Sequence, residues 1–99
     1  MGTLSAVEGW TFLTNHAHVL VCVSRDPDVR ARDIAEAVGI TERAVLGILN
    51  DLVEGGYLER ERIGRRNHYT VNGDRPFRHP LEQHANVSVL LDSVVSAER

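Results

Sequence analysis

The chain has 99 residues, a formal net charge of −3, 42% apolar and 25% charged residues, values that describe one ordinary globular domain and exclude disordered and fibrous classes. The single cysteine, Cys22, excludes an internal disulfide and any CxxC metal or redox motif. No stretch is long and apolar enough to span a membrane, and the opening MGTLSAVEGW has neither the basic start nor the apolar run of a signal peptide, so the expected compartment is the cytoplasm.

A domain of this size buries only about 60 to 65% of its unfolded surface, which makes burial against a partner plausible. Residues 1–14 read as an N-terminal arm, with Trp10, Phe12 and Leu13 expected to pack under the helix that follows. NHAHVLVCVSRDPD carries a capping Asn15, an apolar set of Val19, Leu20, Cys22 and Val23, and a stop at Asp26 and Pro27, which predicts a mostly buried helix over 15–25. In VRARDIAEAVG, Ile34, Ala35 and Val38 recur at helical spacing before Gly39, predicting a short second helix. Thr41 then caps a third, with Glu42 in its first turn, an apolar stripe of Ala44, Val45, Ile48, Leu49 and Leu52, and a stop at Gly55 and Gly56.

YLERERI and NHYTV alternate apolar and polar residues around GRR and predict a hairpin. From Arg60 to Asn72 there are four arginines against one acid, Glu61, so this segment is positive inside an acidic chain, and distribution matters more than the sum. Residues 73–80, rich in turn formers, read as a connector. Residues 81–99 place Leu81, His84, Val87, Leu91 and Val94 on one apolar face, widened by Val89, Leu90 and Val95, which predicts a C-terminal helix.

The order is helix, short helix, tight turn, helix, Gly-Gly, hairpin, connector, helix. RDIAEAVGITERAVLGILNDLVEGGYLERER with GRRNHYTV, roughly half the chain, resembles the winged helix-turn-helix transcription regulators, particularly the small MarR-like and ArsR-like types. The resemblance implies a mainly α fold with a two- or three-stranded antiparallel wing, residues 15–72 forming the DNA-binding unit. It also implies a DNA-binding transcriptional regulator whose partner is double-stranded DNA.

The residues themselves support these parts. A helix fits the major groove, where base edges present a distinct donor and acceptor code, and Thr41, Glu42 and Arg43 open the third helix, a recognition helix over about 41–54. Its outward row holds Arg43, Leu46, Gly47 and Asn50. Leu46 suits a thymine methyl and Gly47 a close approach, yet both equally suit a protein-contacting surface. Gly39 allows the sharp turn between helices, and Ile34, Val38, Ile40, Val45 and Ile48 lock their angle. In the wing, 60–71, Arg65 and Arg66 are expected at the tip on phosphates or in the minor groove, with Arg62 and His68 behind them. The plainer alternative for these charges is a solvated turn. Arg30 and Arg32 either touch the DNA backbone or pair with Asp26, Asp28 and Asp33.

One such unit makes few DNA contacts, so a two-fold homodimer through residues 81–95 is expected. The alternative is a winged-helix protein-interaction module without DNA binding, favoured by net acidity and the Leu46 and Gly47 pair. His18 and Cys22 stand four apart on one helix face, but two ligands are not a site, and neither metal nor cofactor is expected. Catalytic residues are not expected either, since no Gly-rich phosphate loop, HExxH, nucleophile elbow or deaminase ligand set occurs.

Overall fold

A computed structural model describes residues 9–96; the first eight residues of the arm and the last three of the predicted C-terminal helix lie outside the described residues. Helix α1 spans Asn15–Arg25. Its cap is Thr14 rather than Asn15, because the Thr14 side chain accepts the Ala17 N–H at 3.2 Å, which leaves Asn15 as the first helical residue. The helix buries Val19, Leu20, Val21 and Val23 and ends at Asp26, where Pro27 removes the next donor.

Helix α2, Ala31–Val38, buries Ile34 and Ala35. It closes on Gly39 at φ 89°, whose N–H, with that of Ile40, reaches the Ala35 carbonyl. A side chain in that left-handed conformation costs about 1 to 2 kcal/mol, which is why glycine makes the turn. Helix α3, Glu42–Glu54, starts two residues later from Thr41, whose side chain accepts the Ala44 N–H at 3.0 Å. Val45, Ile48, Leu49 and Leu52 are buried as the stripe predicts, whereas Ala44 is exposed. His16 at the start of α1 donates from Nε2 to Asp51 of α3 at 2.8 Å and ties the two helices at the surface.

Strands β1, Leu58–Ile63, and β2, Arg66–Val71, pair antiparallel with Ile63 opposite Arg66. Only Gly64 and Arg65 lie between them, and Gly64 alone takes a positive φ, 63°. A two-residue loop with glycine first is a turn whose twist matches a hairpin. Arg66 is therefore a strand residue, not part of the tip. Beyond this two-stranded sheet, the outer edge of β2 is met by one main-chain bond, Tyr69 N–H to the Pro27 carbonyl at 2.9 Å.

Helix α4 spans Val87–Ser96, six residues later than the predicted start at 81. Residues 80–84 form turns instead, and Leu81 is 76% exposed. The reason is long-range: the Val87 and Ser88 N–H groups donate to the carbonyls of Arg75 and Gly73, both at 2.9 Å. Those donors are among the unpaired ones at a helix N-terminus, so the connector sets where α4 begins. Val87 and Leu91 then bury against α1.

The fully buried side chains Val19, Val23, Ile34, Val45, Leu49 and Leu58 come from α1, α2, α3 and β1. Trp10 and Phe12 do not join them. They are 74% and 90% exposed and meet only edge to face, with centroids 4.9 Å apart. The sides of α1 are already taken by α2, α3, β2 and α4, so of the three apolar residues before it only Leu13 is half-buried. A helix pair, a tight glycine turn and a hairpin wing give the winged helix-turn-helix arrangement expected from the sequence.

Candidate nucleic-acid interface

The buried stripe of α3 turns its opposite side outward. Thr41, Glu42, Arg43, Leu46, Gly47 and Asn50 are all exposed, Leu46 by 48%. Thr41 spends its side-chain oxygen as the cap acceptor, so Glu42 and Arg43 are the foremost long polar side chains of the row. Beside it, Arg30 and Ala31 at the start of α2, Leu46 of α3, and Arg65 and Arg66 of the wing line one shallow groove. Three arginines from two distant segments thus gather in a chain of net negative charge. Arg30, which like Arg32 the sequence left evenly balanced between the DNA backbone and the nearby acids, is brought to this groove.

Several predicted site residues hold partners within the protein. Asn50 Oδ1 accepts from Arg60 at 3.0 Å, linking α3 to β1. Arg62 Nε donates to the Gly64 carbonyl at 3.2 Å, across the base of the turn. The Arg66 guanidinium donates to the Asp28 carbonyl, and His68 Nδ1 donates to the Asp28 carboxylate at 2.7 Å. Arg65 is the cation at the tip, while Arg66 and His68 are turned back toward the residues preceding α2. Arg60 and Asp28 were missed by sequence reasoning, because each acquires its position only through pairings 10 and 38 to 40 residues away.

Gly47 sits in the middle of α3, and a Cβ built there meets no atom within 4 Å. Nothing inside the protein requires glycine, although it costs a helix interior about 1 kcal/mol relative to alanine. Gly47→Ala is therefore expected to raise the unfolding free energy by about 0.5 to 1 kcal/mol. If the row faces DNA closely, the same variant binds duplex severalfold more weakly. Melting and binding measured on one preparation check both, and a stabilised variant that binds as tightly would leave Gly47 no role at the interface.

Away from this face, Cys22 and His18 share a groove with Leu13 and Val94. Burial pushes the Cys22 thiol up from its ordinary value, with Arg25 pulling it partly back, so the thiolate is disfavoured rather than activated. Among the described residues, no three His, Cys, Asp or Glu side chains are arranged to hold a metal ion. Nor is any described helix long and apolar enough to cross a membrane.

Compared with known families, residues 11–65 match the model of the MarR family, a span from before α1 to the tip of the wing. No curated protein matches the chain.

Proposed function

The chain belongs to the MarR family, regulators rather than enzymes, and from that premise we propose that it is a cytoplasmic, sequence-specific DNA-binding transcriptional regulator acting as a homodimer. The observation that carries this reading is the groove in which Arg30, Arg65 and Arg66 stand beside the exposed row of α3. With α3 in the major groove, Arg43 reaches base edges, Leu46 and Gly47 allow close approach, and Asn50 lies farther along with Arg60 on its amide oxygen. Arg30 and Arg65 take phosphates on either side, and such contacts position the protein without reading sequence. Arg62, Arg66 and His68 serve mainly to shape the wing.

A dimer through the C-terminal helix rests on what α4 leaves uncovered. Val87 and Leu91 are spent on the chain's own core, while Val89 is 57% exposed and Val94 and Val95 are only partly covered. Two copies related by a two-fold axis place two recognition helices on a palindrome. Selection of bound sequences from random duplex DNA tests both parts. A palindromic product is expected, and sedimentation of the intact protein should give a dimer at micromolar concentration. A monomer there removes the dimer.

The competing reading is a protein-interaction module, favoured by the exposure of Leu46 and Ile63, 48% and 56%, on the same side of the molecule as the arginines. No enrichment in the selection would favour it.

A further inference from the structure

The turn before α1 carries two aromatic rings that the fold leaves in water, Trp10 at 74% and Phe12 at 90% exposure. Local bonds set their place. The Thr11 hydroxyl between them donates to the Leu13 carbonyl at 2.6 Å, Leu13 is half-buried, and Thr14 caps α1. The rings meet edge to face, 4.9 Å apart. A patch ordered in this way loses less freedom when it is covered, and adjacent exposed aromatics mark an interaction surface.

Beside the turn runs a groove lined by Thr11 and Leu13 of the turn itself, Val21 and Cys22 of α1, Val38 of α2 and Val94 of α4. Its volume is about 270 Å³, and a dry cavity of about 150 Å³ already accepts a benzene ring. One aromatic side chain therefore fits, yet neither ring of the same chain lines the groove.

We propose that the Trp10 and Phe12 turn of one copy docks into this groove on a second copy, with Phe12 as the inserted ring and Trp10 at the rim. The inference rests on the homodimer reading above and supplies the area that α4 lacks. A specific interface buries at least about 1,200 Å². α4 offers a partner chiefly Val89, Val94 and Val95, because Val87 and Leu91 are buried in the chain's own core. Buried aromatics contribute about 150 to 250 Å² each, so four rings, two per copy, add on the order of 600 Å². Val94 belongs both to the groove and to the partly covered side of α4, which makes the two surfaces continuous. A two-fold axis renders the contact reciprocal, each turn entering the other copy's groove. Phe12 is apolar throughout and suits the interior, whereas the Trp10 indole N–H needs a partner and finds water at the rim.

Trp10 is the chain's only tryptophan, so its emission reads the contact in the intact protein. As concentration rises, the emission is expected to move to shorter wavelength, with the midpoint that sedimentation gives for dimer formation. Phe12→Ala should raise the dimer dissociation constant about a hundredfold, since two buried rings are lost per dimer. Ala37→Glu, at an exposed position of α2 on the same groove, puts a charge where the ring would sit and should weaken the dimer about tenfold. Combined, the two substitutions should cost little more than the larger alone, because each removes the same contact. Losses that multiply overturn the docking. A dimer whose Trp10 emission stays that of an indole in water overturns it too and leaves the α4 dimer standing. A monomer at every concentration, whatever its emission, overturns both.

Discussion

Replacing Arg30 and Arg65 together by alanine is expected to weaken duplex DNA binding about a hundredfold at low salt and to reduce the salt slope by about two. Each arginine is exposed at a different edge of the groove, one at the cap position of α2 and one at the wing tip. Each phosphate neutralised releases about 0.9 counterions, so two lost contacts flatten log K against log salt by roughly 1.8. The loss should be nearly the same for every sequence, because phosphate contacts carry no base information. Arg43→Ala is the internal contrast: it should relax preference at a particular base step. Stability should barely move in the double variant, since neither side chain caps or packs the fold: Arg30 makes no side-chain cap hydrogen bond. Unchanged salt slopes would remove the groove from the interface.

Leu49→Ala carries the largest expected effect on stability, about 2 to 5 kcal/mol. Leu49 is 0% exposed and lies in α3, which packs against α1, α2 and β1. Its truncation leaves a cavity at the point where α3 meets the rest of the fold. Domains of this kind hold about 5 to 15 kcal/mol in total, and each kcal/mol moves the melting midpoint by roughly 4 to 8 °C. A fall of ten degrees or more is therefore expected, read by thermal or denaturant unfolding. Leu46, three residues earlier and 48% exposed, provides the comparison, for its replacement should change stability by less than about 0.5 kcal/mol. Similar losses at the two positions would mean that α3 presents a different face to the core.

The helix-turn-helix was legible because its determinants are local. Ile34 and Ala35, then Val45, Ile48, Leu49 and Leu52, repeat at the helical period; Gly39 and Thr41 mark the turn by conformation and by capping. The start of α4 was not legible, because Leu81 and His84 continue the apolar spacing while the helix is set by carbonyls at 73 and 75. Hydrophobicity also misplaced Trp10 and Phe12, since a preference for burial has no effect where neighbouring elements already occupy the available faces. At the candidate interface, residue type pointed to the outward row of α3 and to Arg65. It could not separate Arg65, at the tip, from Arg66, which the Asp28 carbonyl draws back from 38 residues away.

The corner after α3 is clasped by Asn72 and the connector that follows it. Asn72 donates to the Gly56 carbonyl at 2.8 Å, Arg75 to the Gly55 carbonyl at 3.2 Å, and Tyr57 Oη to the Pro76 carbonyl at 2.5 Å. The Arg75 guanidinium also lies 3.2 Å from where a Cβ on Gly56 would stand, and Gly56 is at φ 85°. The same connector fixes the first turn of α4 through Gly73 and Arg75. In a two-fold assembly joined by α4, this arrangement is a caliper: the clasp is its hinge pin, and the two copies of α3 are its jaws. The gap between the jaws, and so the number of base pairs separating the two half-sites, is then set far from any base, by glycines 55 and 56 and the arginine closed over them.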